Sequence, residues 1–228
     1  MICCIVAARL GTLVVVKRWH SIVLLGIFAL GAVYVYLHRQ ELGLAGPART
    51  PSLDSATLSL ASTGTKPPQI TWAMVNRPKD GFSVEMPTDV KEIQIPAYNE
   101  SGGADQVNMI FSNPDAQTTF SVSWADNPPV VRANGRNSEK VLDMARDDAL
   151  TRSQTRLVNE TRSSVEGFAS RDILARNAEG GILNTRLLFA GDRLYMLTTV
   201  FPSSEARREQ DVIRFFNSFK ASGTLRNP

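Results

Sequence analysis

Along the middle of the chain, apolar and polar residues alternate with period two. Phe82, Val84 and Met86 are interleaved with Ser83 and Glu85. Val107, Met109 and Phe111 repeat the pattern, as do Phe120, Val122 and Trp124 around Ser121 and Ser123. Such alternation predicts strands with one packed face and one wetter face. Turn signals separate the runs at Asn113-Pro114, Asn127-Pro128-Pro129, Asn134-Gly135 and Gly180-Gly181. Gly191-Asp192 lies between ILNTRLLFA and RLYMLTTVF and predicts a hairpin. Two segments change to a helical period. Over 138–150, Val141, Leu142, Ala145 and Ala149 share one side, and charges occupy the other. A second helix is predicted from about Ser204 to Ala221, with Ser203 or Ser204 as its cap and Gly223 as its stop. Its Val212, Phe215, Phe216 and Phe219 recur at three- and four-residue steps, a stripe suited to lying on a sheet rather than to holding a ligand.

The N-terminal third has a different pattern. Ser21 to Leu37 is a run of 17 uncharged, mostly apolar residues, roughly 25 Å long as a helix. Trp19, Tyr34 and Tyr36 stand where interfacial aromatics extend a span. Residues 17–40 are therefore predicted to form a single transmembrane helix. Arg9, Lys17 and Arg18 precede it and Arg39 follows, so the positive-inside bias puts the C-terminal domain outside the cytoplasm. The competing reading is a signal peptide cleaved near Gly43-Leu44-Ala45, against which stand the length of the run, Arg39, Glu41 and Pro47. Residues 1–16 are an extension without clear assignment, too short for a second span. One reading puts the natural start near Val14–Val16. Cys3 and Cys4 lack lipobox spacing. Residues 41–69, rich in small residues and proline, predict a flexible linker, 70–222 the folded domain and 223–228 a tail.

The overall charge of +3 changes meaning once it is divided along the chain. Residues 1–68 hold six basic residues against Glu41 and Asp54; the remainder holds 19 basic and 20 acidic residues. The predicted domain thus lacks the basic footprint of a nucleic-acid binder. His20 and His38 flank the apolar run, and no histidine or cysteine follows. The domain therefore has no disulfide, no thiolate and neither of the commonest transition-metal ligands. It carries no nucleophile elbow, P-loop or dinucleotide fingerprint. No cofactor is expected, and the carboxylates are what remains for catalysis. Asp143 and Asp147, four apart with Asp148 beside them, would suit a hard cation such as calcium. The plainer reading is a solvated helix face with Lys140 and Arg146 nearby. A run of arginines offers the other candidate: Arg156 and Arg162 share strand parity, as do Arg176 and Arg186 if their strands are regular. A common face would make a ridge for acidic partners or lipid headgroups, although Glu160, Glu166, Asp172 and Glu179 interleave with it. Asn99 and Asn159 head glycosylation sequons, which matter only on a eukaryotic secretory route.

Trp72, the GFSVEMP segment, the paired strands ending in GDRLYMLTTVFP and the closing helix DVIRFFNSFK together resemble the PsbP-like superfamily over residues 70–222. That superfamily includes an extrinsic photosystem II subunit, a Ran-binding import factor and many bacterial envelope proteins. The resemblance implies an α+β fold, an antiparallel β-sheet flanked by helices, here preceded by one transmembrane helix and a flexible linker. It also implies work by binding other proteins. Metal binding in photosynthetic members relies partly on histidines that this domain lacks. The expectation is a single-pass, extracytoplasmic, non-catalytic accessory module of a cell envelope that binds an envelope protein. A small-ligand or lipid-binding domain is the alternative, followed by an enzyme with a carboxylate site.

Overall fold

Among the residues that the computed structural model describes, 69–98, 104–134 and 137–222, there are ten strands and three helices. The predicted span and the linker up to residue 68 lie outside them. Among the described residues no helix is long and apolar enough to cross a membrane. The strands are β1 (Trp72–Arg77), β2 (Phe82–Pro87), β3 (Lys91–Tyr98), β4 (Ala104–Ser112) and β5 (Thr119–Asp126). After α1 (Pro129–Asn134) and α2 (Ser138–Arg152) come β6 (Arg156–Val165), β7 (Phe168–Arg176), β8 (Ile182–Ala190) and β9 (Arg193–Phe201). Helix α3 (Glu209–Ser218) and the short β10 (Lys220–Ala221) close the domain. Seven strands form one antiparallel sheet in the order β3-β4-β5-β9-β8-β7-β6, and β1, β2 and β10 form a second, three-stranded one. This is an α+β fold of antiparallel sheets and a few helices.

Both faces of the large sheet are covered. On one, α1 and α2 bury Val130, Val131, Val141, Leu142, Ala145 and Ala149 against Leu183, Leu187, Leu194 and Met196. On the other, α3 and the small sheet bury Phe215, Phe216, Phe219, Phe82 and Val84 against Phe120, Trp124, Leu188 and Leu197. The prediction of one wet face therefore fails for β5, where Ser121 and Ser123 are as buried as their apolar neighbours. Small hydroxyls that reach a backbone carbonyl can be buried at little cost, and Ser123 Oγ lies 3.5 Å from the Met196 carbonyl.

Two boundaries differ from the sequence reading. Proline at the first helical position and two buried valines turn 129–134 into a short helix, where only turns are predicted. The last helix begins at Glu209 rather than Ser204, because Ser203 Oγ accepts from the Ala206 N–H and holds a separate turn. It ends at Ser218: Phe219 is extended, and Lys220 and Ala221 pair with Ser83 and Phe82 of β2. The predicted stop, Gly223, lies outside the described residues.

The β1–β2 turn is locked to β9. The Tyr195 hydroxyl lies 2.9 Å from the Asp80 carbonyl and 3.1 Å from that of Gly81. Arg193 also donates to the Asp80 carbonyl and pairs with Asp126. Gly81 sits at φ +71°, and a Cβ there would lie 2.9 Å from the tyrosine oxygen. Gly191, at φ +70°, has open space around it. Alanine at Gly191 is expected to cost about 1–2 kcal/mol for the left-handed backbone alone. Alanine at Gly81 should cost more, because it also pushes on Tyr195. Denaturation of the two variants side by side measures the difference; equal losses would mean the turn shifts freely.

Candidate functional site

Arg186 lies on β8, opposite Asp172 of β7. Its Nε and Nη2 donate to the two Asp172 carboxylate oxygens at 2.6 and 2.7 Å, a bidentate pair. Nη1 donates to the Phe216 carbonyl at 2.9 Å, one of the orphan acceptors at the end of α3, and the guanidinium stacks 5.0 Å from the Phe216 ring. Arg186 is thus a clamp between helix and sheet, not a free basic group.

Beside this clamp a cleft of about 390 Å³ runs between α3 and the β6–β7–β8 end of the sheet. Asn159, Thr161, Asn184, Arg207, Ile213 and Asn217 are among its walls. Asn184 is 4% exposed yet polar; its Oδ1 accepts from Arg207 Nε at 3.1 Å and its amide donates to Thr199 Oγ1 at 3.0 Å. Arg207 in turn pairs with Glu209. Each arginine of the cleft is therefore matched by a carboxylate within it. Asn159, Thr161 and Asn217 make no side-chain hydrogen bond to other described residues, and their amides and hydroxyl are open to a bound molecule. With both carboxylates bonded to arginines and no histidine nearby, the arrangement suits recognition by hydrogen bonds better than proton transfer.

The four arginines picked from sequence do not form one ridge. Arg156 pairs with Arg176, but the register of β6 shifts between Leu157 and Asn159, after which Arg162 pairs with Arg171. Cross-strand partners share a face, and residues 171 and 176 of the regular β7 face opposite ways. Arg156, Arg176 and Arg186 therefore lie on the α3 side and Arg162 on the α2 side. The bulge that separates Arg162 from Arg156 has no local signature in the sequence.

On the α2 side Arg162 joins a network centred on Arg171, whose side chain is 1% exposed. Arg171 Nη2 is 2.5 Å from Glu139 and 3.4 Å from Asp143. Its Nε faces Glu160 Oε1 at 3.0 Å but off the hydrogen-bond axis, so that contact is coulombic. Arg162 bonds Glu139 at 3.1 Å, and Arg146 reaches Glu160 and Asp147 at 2.8 Å each. Asp148 pairs with Arg152 at 2.9 Å. The aspartates considered for a cation are thus taken up by arginines, and among the described residues no group of three or more histidines, cysteines, aspartates or glutamates is placed to hold a metal. They are not the simply solvated face either, since Asp143 points toward the buried guanidinium of a strand.

Asp148 has its pKa raised above the ordinary 3.8, because burial opposes its charge more than Arg152 supports it. The sign follows from linkage. The folded state holds this proton more tightly than the unfolded state, so stability falls as pH rises through the interval above 3.8. Asp148→Asn removes that dependence. The variant should gain on the parent between about pH 3 and about pH 7, read by denaturant unfolding at both values. A constant difference would place the titration elsewhere.

No protein-family model matches the chain, and no curated protein does. Among solved structures, the chain is similar to the solution structure of cyanobacterial PsbP (CyanoP) from Synechocystis sp. PCC 6803. The identity is 12% and the TM-score 0.47, over 72% of this chain and 97% of that one. A crystal structure from Bacteroides thetaiotaomicron gives 10% identity and a TM-score of 0.35 over 62% of this chain and 45% of that one. A protein of unknown function from Pseudomonas aeruginosa gives 13% and 0.31 over 59% and 85%.

Asn184 and Arg207 were not singled out from sequence, and Asn159 and Thr161 of β6 only as parts of a glycosylation sequon. One signal for Asn184 was available: Asn184 and Arg186 are the polar residues on the strand parity shared with Ile182, Leu188 and Ala190. Arg207 carried none, since its role depends on where the turn before α3 lands.

Proposed function

We propose that the chain is a non-catalytic accessory module of the PsbP-like kind, held at a cell envelope by residues 17–40, that binds a partner protein through the face bearing the α3–β8 cleft. The observation that carries this reading is the cleft itself: open, charge-matched, and edged by unused amide and hydroxyl groups. Charge-matched polar walls favour an uncharged polar segment of a protein over a phosphate or a nucleic acid. A membrane tether would keep such a module at high local concentration beside its target. A second reading is favoured by the volume of the cleft, which falls in the range of small-molecule sites, about 300–1,000 Å³; a small neutral ligand would use the same amides.

The test is cross-linking in intact cells, followed by purification of the tagged full chain and mass spectrometry. Ile213→Glu, on an exposed position of the cleft wall, serves as the comparison. One partner enriched near stoichiometry in the parent and lost in the variant is the expected result. A partner profile identical to that of an empty-tag control sinks the reading, and so does a partner indifferent to Ile213→Glu.

A further inference from the structure

Strand β6 ends the large sheet, and nearly all of it is exposed, including Leu157 at 44% and Val158 at 55%. A strand at the end of a sheet presents a row of backbone donors and acceptors to any matching strand. The opposite edge, β3, carries Pro96, which removes one N–H from its row. Strand β6 contains no proline or glycine.

We propose that β6 pairs antiparallel with β6 of a second copy of this chain, with Thr161 on the two-fold axis. In such a pairing the axis stands perpendicular to the sheet and each face meets its own counterpart, so only residues of equal parity can oppose each other. Centred on Thr161, the register puts Glu160 of each copy opposite Arg162 of the other and Asn159 opposite Ser163. Moving the centre to Glu160 sets two glutamates against each other, and moving it to Arg162 sets two arginines together, both of which like charge disfavours. The charges therefore disfavour the registers centred one residue to either side of Thr161, and the bulge at Val158 discourages promiscuous strand addition. Beyond the bulge, the exposed Leu157 and Val158 would lie near Val165 and Ser164 of the other copy.

The pairing also bears on the cleft, although it does not rest on the partner reading. Asn159 and Thr161 belong to the cleft wall, so the axis brings two clefts edge to edge on one face of a continuous sheet.

The experiment uses the full chain in mild nonionic detergent, in a Cys3→Ser, Cys4→Ser background so that no native thiol competes. Thr161→Cys places one thiol of each copy at the axis, and Gln94→Cys, on the β3 edge, is the comparison. A short bis-maleimide is expected to convert most of the Thr161→Cys chain, and little of the Gln94→Cys chain, to a covalent dimer. Sedimentation of the unsubstituted chain and of Val158→Lys, at an exposed position, is measured alongside and does not depend on the cysteine variants folding. A dimer in the first and a shift of at least tenfold toward monomer in the second support the pairing. A monomer at every concentration overturns it, as does a dimer that cross-links equally through Gln94→Cys or ignores Val158→Lys.

Discussion

Phe215→Ala is expected to cost about 3–5 kcal/mol of folding stability, the range for emptying a large aromatic site in a core. Phe215 is fully buried and contacts Phe120 of β5 edge to face at 5.4 Å and Phe216 at 5.7 Å. Around it Phe120 meets Trp72 and Phe201, and Phe82 stacks on Phe219. The ring therefore touches the layer that joins helix α3, the small sheet and the large sheet. Deleting it leaves a void that β-strands on two sides cannot close by a side-chain rotation. Ile213→Ala, on the exposed side of the same helix, should change stability by no more than about 0.5 kcal/mol. Urea unfolding of both variants decides the matter. If Phe215→Ala lost no more than Ile213→Ala, α3 would not be docked as described.

The second large effect is expected at Arg171. Its guanidinium is buried on β7 with Glu139, Asp143 and Glu160 around it. Methionine fills a similar volume but leaves those carboxylates without their central cation, and breaking a buried ion pair from one side costs about 3–5 kcal/mol. Arg146 and Arg162 remain to neutralise part of the cluster, which puts the expected loss toward the lower end. Adding Glu160→Gln to Arg171→Met should recover part of it, since Glu160 is the most buried of the three acids. Non-additivity of the two substitutions is the signature, read from a double-mutant cycle. Simple additivity would mean that Arg171 is held by packing rather than by charge.

The period-two runs at Phe82–Met86, Val107–Phe111 and Phe120–Trp124 all became strands, Gly191-Asp192 became the β8–β9 turn, and the Val212–Phe219 stripe became the buried side of α3 and its exit. These features are local. They depend on which torsions a residue tolerates and on which side of its own element it falls, and the order of residues along the chain determines both. The candidate site was legible only in part. Arg186 was picked as a surface charge, but its partners, Asp172 and the Phe216 carbonyl, come from elsewhere in the chain, and together they make it a clamp. The bulge after Leu157 reversed the parity that had grouped Arg162 with Arg156. The aspartates of α2 took their partners from β6 and β7, and the serines of β5 lost their water to a second covered face. The deciding neighbours are brought close by the strand order β5-β9-β8-β7-β6 and by the helices packed on both faces of the sheet. The sequence determined which segments form strands and helices and which of their sides are apolar. Only the tertiary structure decided which charges meet and where a cleft is left open, because both depend on contacts between residues far apart in the chain.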